Sequence, residues 1–296
     1  MPSRRAATAA GFAAIVLWAA LALLTTATDG IPPFQLLALG FAMAGVAGLA
    51  WVLRPGGPGP RALRQPPAAA LLATAGLSGY HALYFIALKR APVVEASVVN
   101  YLWPLLIVVF AAVIGGTRVR PAQWLGTVLG LVAAVLVVTR GGWPRLEPAH
   151  ATGYLAALAG AVVWALYSVL NRRFAAVPSS AVVVACLATA VFGALMHSGL
   201  ESWRTPTPAQ WAAIAALGLG PTGLAFWLWD IGTKRGDLAV LGTLSYAAPL
   251  LSTALLLVFA RAEPHWTQAA AVALLLAGAW LGVRGAPASA EHEPAQ

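Results

Sequence analysis

Charge is what this sequence has least of. Of its 296 residues only 9% are Asp, Glu, Lys or Arg, against about 25% in an average soluble domain, and a chain so poor in charge cannot clothe a globule in polar surface. Polar stretches are scarce too: the longest, 54–67 and 140–152, are too short to bury a core of their own. A single cysteine, Cys186, excludes an internal disulfide frame, and within an apolar run it reads as a small packed hydrophobe. The histidines His81, His150, His197, His265 and His292 lack metal-ligand spacing, and neither H-E-x-x-H nor G-x-S-x-G occurs. No metal, cofactor or enzymatic activity is therefore expected. Among the acidic residues only Glu95 and Asp230 fall within apolar runs. Lys234, four residues after Asp230, predicts an i,i+4 ion pair, and Glu95 would complement a positive helix N-terminus.

What the chain has in abundance is apolar length. Hydrophobic residues make up 60%, gathered in recurrent runs of about 17 to 25 residues, each long enough to cross a hydrocarbon core as a helix. Breakers such as Ile31-Pro32-Pro33 and Pro55-Gly56-Gly57-Pro58 divide these runs into ten predicted spans: 9–26, 34–53, 68–89, 93–115, 121–139, 152–173, 179–198, 208–234, 238–260 and 265–284. Arg4 and Arg5 precede the first run in the manner of a signal peptide, but its length and its Trp18 point to a retained helix.

The formal charge of +9 could suggest a nucleic-acid partner, yet the basic residues lie at the ends of apolar runs and form no stripe. They act as topology signals. With a cytoplasmic N-terminus, Arg4, Arg5, Arg54, Arg61, Arg64, Arg118, Arg120, Arg172, Arg173, Lys234, Arg235 and Arg284 fall inside. Lys89, Arg90, Arg140, Arg145, Arg204 and Arg261 fall outside. This bias predicts a multi-pass protein of a bacterial inner membrane with both termini cytoplasmic.

The chain also repeats itself. Lys89-Arg90 aligns with Lys234-Arg235, Tyr101 with Tyr246, Pro104-Leu105-Leu106 with Pro249-Leu250-Leu251 and Gln123 with Gln268, all at an offset of 145. Trp18 and Trp164, and Pro33 and Pro178, agree within one residue of that offset. The expected organisation is one five-helix repeat over 1–140, a second over 151–285, and a disordered cytoplasmic tail over 286–296. An odd number of helices per half makes the second copy inverted, so the expected fold is an all-α polytopic protein with two inverted repeats around a central cavity. Such halves can exchange conformations and open a central site to alternate sides, as carriers do.

Polar and aromatic residues inside the spans are the candidates for lining that site. Tyr80 and Tyr84, four apart, share one helix face, with His81 about 100° around. In the fourth span Ser97, Tyr101 and Pro104 form a stripe beside Asn100 and Trp103. Pro104 removes the N–H that Asn100's carbonyl would accept and predicts a kink; Ser245, Tyr246 and Pro249 repeat the arrangement. Trp18 and Trp164 lie about 15 Å inside their helices at 1.5 Å per residue, too deep for an interfacial belt. Ser168 and Asn171 continue the stripe of Trp164. Aromatic walls of this kind suit an apolar side chain, and a ring face suits a cation.

The ten spans in five-plus-five order, with the Pro-Leu pattern of the fourth and ninth, resemble the EamA family of the drug/metabolite transporter superfamily. Pro121-Ala122-Gln123-Trp124-Leu125-Gly126 is similar to the polar turn opening the family's fifth helix. Glu263 takes the place of an acidic residue common there, while Arg118 departs from the pattern in the first half. The similarity extends to the YddG-type aromatic amino acid exporters, through Ile15-Val16-Leu17-Trp18, Val94 to Pro104, Trp164-Ala165-Leu166-Tyr167 with Asn171, and Ser245-Tyr246 with Pro249. The resemblance implies export of amino acids, aromatic ones included, through a central cavity; the expected partners are a small-molecule substrate and the lipid bilayer, with the chain a monomer. Export of other metabolites or drugs, such as nucleosides or cationic compounds, and a channel-like facilitator stay open as alternatives.

Overall fold

The computed structural model describes residues 2–259 and 265–284, and no strand occurs among them. Nine helical segments among these residues are long and apolar enough to cross a membrane: α1 Arg4–Thr26, α2 Pro33–Leu53, α3 Pro67–Arg90, α4 Val93–Val113, α5 Pro121–Val138, α6 Pro148–Phe174, α7 Ser179–Leu200, α8 Pro208–Arg235 and α9 Leu238–Phe259. A further apolar helix, α10, covers Trp266–Arg284. The protein is a multi-pass membrane protein. The expected tail over 286–296, with Arg261 and Glu263, lies outside the described residues.

The predicted boundaries differ most at the first helix. It starts at Arg4 rather than at 9, because the Ser3 hydroxyl accepts the N–H of Ala6 and caps a turn that hydropathy alone does not register. Proline begins most of the other segments, at the first helical position where its missing N–H costs nothing.

Four segments are interrupted. Segment α1 turns at Ala20, between Arg4–Ala19 and Leu21–Thr26. Segment α4 breaks at Tyr101–Leu102 and α9 at Tyr246, each three residues or fewer ahead of Pro104 or Pro249. The proline ring cannot donate to, and clashes with, the carbonyl four residues earlier, so the helix opens there. In α8 a π-turn over Gly220–Leu224 encloses Pro221. The Thr222 hydroxyl answers it by donating to Leu217 and Gly218 carbonyls at 3.0 and 3.2 Å.

The strongest packing pairs join the first five segments to the last five, α5 on α10, α2 on α7, α3 on α6 and α1 on α8, while α4 packs on both α6 and α9 and α1 also packs on α9. Advancing each helix by five positions maps this set onto itself. Hydrocarbon solvates Leu as well as a protein core does, so these pairs rest on close packing and polar contacts. Pair α2–α7 is fastened at both ends. At one, Glu201 accepts the N–H groups of Phe34 and Gln35, and Gln35 exchanges two hydrogen bonds with the Arg204 backbone. At the other, Ser180 donates to the Ala62 carbonyl.

Pair α5–α10 rests on glycine. A Cβ at Gly126 would lie 2.4 Å from the Gly278 carbonyl oxygen, so the two backbones touch. Gly126→Leu should force them apart and cost about 1–3 kcal/mol, as overpacking does, read as a lower unfolding temperature in detergent; Leu125→Val, at a half-exposed neighbour, should change it little.

Candidate functional site

Helices α1, α3, α4, α6 and α8 bring their aromatic residues to one place. Trp18 sits at the hub, with ring centroids 5.6 Å from Trp164, 5.6 Å from Phe226 and 5.1 Å from Trp229. Trp164 continues the contact to Tyr80 at 5.4 Å and to Trp103 at 6.4 Å. Tyr80 stacks on Tyr84 at 6.0 Å with an interplanar angle of 5°. His81 stands edge-on to Phe41 at 5.2 Å and to Tyr80 at 5.3 Å. Ring pairs at such distances contribute about 0.5–1.5 kcal/mol each beyond their burial, so the cluster, with Phe41 of α2, holds six helices at fixed separations.

Polar groups are set into this wall. Asn100, 5% exposed, donates its amide to the Tyr80 hydroxyl at 3.1 Å, while its side-chain oxygen has no partner among the described residues. The Tyr84 hydroxyl meets Ser97 at 3.5 Å. His81 Nδ1 lies 2.7 Å from the Leu77 carbonyl, which can only accept, so that nitrogen carries the proton. The Trp18 indole donates to the Pro221 carbonyl at 3.0 Å, tying α1 to the π-turn of α8. Tyr80, His81, Tyr84 and Tyr101 keep partial exposure, whereas Trp103, Trp164, Phe226 and Trp229 are buried.

The structure thus gathers Trp18, Tyr80, His81, Tyr84, Asn100, Trp103 and Trp164. Ser168 touches this group indirectly, as acceptor for the Trp229 indole at 3.1 Å. Tyr101 stands half-buried at the α4 break. The other three polar candidates have different surroundings. Asn171 donates to Asp230 at 2.9 Å and Thr233 at 3.0 Å. The Ser245 hydroxyl, fully buried, bonds the Leu241 carbonyl of its own helix at 2.7 Å. Tyr246, also fully buried, accepts the Leu105 N–H at 3.2 Å and so fills the α4 break that Pro104 creates.

Phe41, Phe226 and Trp229 belong to the aromatic wall and are absent from the residues read out of the sequence. A signal for two of them was present: at the offset of 145, His81 corresponds to Phe226 and Tyr84 to Trp229. The repeat therefore marks both walls once either is recognised.

Beside the wall lies a buried ion pair. Asp230 and Lys234 approach to 2.8 Å with side chains 6% and 4% exposed, and Lys234 also donates to the Val177 carbonyl at 3.1 Å. The i,i+4 spacing forms the expected pair, but in a buried setting where each charge depends on the other. Among the described residues no cluster of three or more His, Cys, Asp or Glu side chains could hold a metal ion.

Residues 6–139 and 151–284 each match the EamA-like transporter family. The chain is 50% identical over 278 residues, 94% of its length and 96% of the relative's, to a protein of Ancylobacter novellus named aromatic amino acid exporter YddG. It is 30% identical to the protein of that name from Salmonella typhimurium, covering 84% of this chain and 87% of the other. A probable terminal-alkyne amino-acid exporter of Streptantibioticus cattleyicolor is 27% identical, with 91% of each chain covered. A solved crystal structure at 48% identity superimposes with a TM-score of 0.90 over 95% of this chain and 98% of that one.

Removing one partner of the buried ion pair strands the other in a low-dielectric setting. Asp230→Asn should destabilise by about 3–5 kcal/mol, and Asp230→Asn with Lys234→Met should regain most of the loss. Thermal unfolding of the three proteins in one detergent measures both.

Proposed function

The chain belongs to the EamA-like transporter family, and from that premise we propose that it exports amino acids, aromatic and other neutral ones, from the cytoplasm by alternating access. In this reading 1–140 and 151–285 are two five-helix halves of opposite orientation that rock about the aromatic cluster, and both termini face the cytoplasm. The observation that carries it is the cluster itself, which draws Trp18, Tyr80 and Trp103 from one half and Trp164, Phe226 and Trp229 from the other. A site made from both halves changes whenever the halves move. The names of the relatives from Ancylobacter and Salmonella support the substrate class, and the pairing of helices that maps onto itself supports the symmetry.

The chemistry fits an amino acid. Aromatic rings receive an apolar or aromatic side chain and favour a nearby cation. The unpartnered oxygen of Asn100 is an acceptor for an ammonium. Half-buried Tyr80, Tyr84 and Tyr101 supply hydroxyls toward a carboxylate. On this topology the partly exposed tyrosines lie in the outer part of the bundle, while Leu238, Leu241 and Tyr246, at most 1% exposed, seal its cytoplasmic part. The conformation is then outward-facing, with the proline breaks of α4 and α9 as hinges.

Purified protein in liposomes should take up labelled phenylalanine with saturation and with acceleration by unlabelled phenylalanine on the opposite side. Linear flux without such acceleration would indicate a pore. Trp164→Ala and Tyr101→Ala should each lower the rate several-fold with folded protein still in the membrane; unchanged flux in both would remove these residues from the path. Reporter fusions at the two termini should both read cytoplasmic, and a periplasmic C-terminus would contradict the inverted arrangement.

A further inference from the structure

Away from the aromatic cluster the molecule has a cavity of about 180 Å³ between the end of α4, the end of α6 and the start of α9. Ile114, Thr117, Leu170 and Leu238 form its apolar and neutral walls, and Arg172 and Arg173 its only charges. Helices α4 and α6 also carry Asn100 and Trp103, and Trp164 and Ser168, so the cavity lies at the cytoplasmic end of two helices that build the central site, beside α9, whose Tyr246 fills the α4 break. Buried Leu238 lines the cavity and belongs to the same apolar cluster as Trp103, Trp164 and Trp229.

The two arginines are differently committed. The α6 helix ends in a tight turn over Asn171–Phe174, in which successive side chains point about 120° apart. Asn171 thereby turns into the bundle toward Asp230. The Arg172 guanidinium binds the Gly236 carbonyl at the α8–α9 corner, which fixes one cation at the cavity's edge. Arg173 is exposed and makes no ion pair or side-chain hydrogen bond among the described residues. Asp237, next to Leu238, acts on Arg172 but not as a partner of Arg173: its carboxylate is engaged by Arg4 at 2.6 Å and by the N–H groups of Ala239 and Val240. A cavity with two cations, one of them unpaired, and no acidic residue in its lining is complementary to an anionic group attached to an apolar body.

We propose that this cavity is the loading site of the exporter, where Arg173 receives the α-carboxylate of the outgoing amino acid before the seal around Leu238 opens. This rests on the transport reading above. It adds a second, sequential contact: the carboxylate is first held at the cytoplasmic mouth by a planar guanidinium, and is passed to the tyrosine hydroxyls when α4 and α9 move. Arg172 acts as the fixed wall of the mouth through its bond to Gly236.

The test uses inside-out and right-side-out membrane vesicles, with phenylalanine as substrate and phenethylamine, its decarboxylated analogue, as competitor. Arg173→Gln should raise the half-saturating phenylalanine concentration at the cytoplasmic face about three- to tenfold, the scale of one partly exposed charge-assisted hydrogen bond. The value at the outer face and inhibition by phenethylamine should stay as in wild type, and Arg173→Lys should stay within about twofold of wild type. No shift, or an equal shift for phenethylamine, would overturn the loading site. So would a shift present in vesicles rich in phosphatidylglycerol and absent in purely zwitterionic ones, which would make the cavity a lipid-headgroup site. Wild-type vesicles that carry no amino acid in either direction would instead bring down the transport reading and this inference together.

Discussion

In hydrocarbon every backbone N–H and C=O must find a partner inside the protein, and the rest of this structure follows from where that rule is strained. Most of the chain obeys it by being helix. Helices α4, α8 and α9 open at or near prolines, and in α4 and α8 side chains answer the backbone groups at the opening. The Tyr246 hydroxyl takes the Leu105 N–H, the Trp18 indole reaches the Pro221 carbonyl, and Thr222 bonds the turn beneath it. The answers from Tyr246 and Trp18 come from distant parts of the chain, so the breaks of α4 and α8 are also junctions between helices. The candidate site occupies the region where these junctions meet.

Scarcity of charge gives each buried charge a defined partner. Asp230 and Lys234 satisfy one another, and Asn171 and the Val177 carbonyl take up their remaining capacity. Replaced by well-packed apolar residues such a pair would cost little, so its presence is better understood as specifying one arrangement of α6 against α8 than as raising stability. Arg4 and Asp237 join the start of α1 to the α8–α9 corner in the same way, and Thr8 reinforces the joint by accepting the Asp237 N–H. Glycine does for the apolar surfaces what these pairs do for the polar ones. Close approach at Gly126 and Gly278, and at Gly11 and Gly232, admits no side chain between the backbones.

Two kinds of aromatic residue emerge from the geometry. Buried Trp103, Trp164, Phe226 and Trp229 fix the helices of both halves to one another. Partly exposed Tyr80, Tyr84 and Tyr101 face accessible space. Composition does not separate these roles, and neither does hydropathy, because both sets occupy equally apolar helices.

Much of the fold was legible in the residues. Apolar length, proline starts and basic ends gave most of the span bounds to within about two residues, the starts of α1 and α6 excepted, since crossing a bilayer demands a fixed length of apolar helix. The offset of 145 between rare residues marked two related parts, and Pro104 and Pro249 marked the breaks. Helical periodicity also gave the face on which Tyr80 and Tyr84 lie. It could not say which neighbour that face meets, because partners such as Asn171 and Asp230, Tyr246 and Leu105, or Trp18 and Pro221 are separated by 59 to 203 positions in the chain. Asn171, Ser245 and Tyr246 thus read alike as polar residues in apolar helices. Only the packing of the helices decided that the first serves an ion pair, the second bonds its own helix and the third closes a break, because a hydrogen bond is settled by the one donor or acceptor within about 3 Å, and that atom is chosen by the tertiary structure.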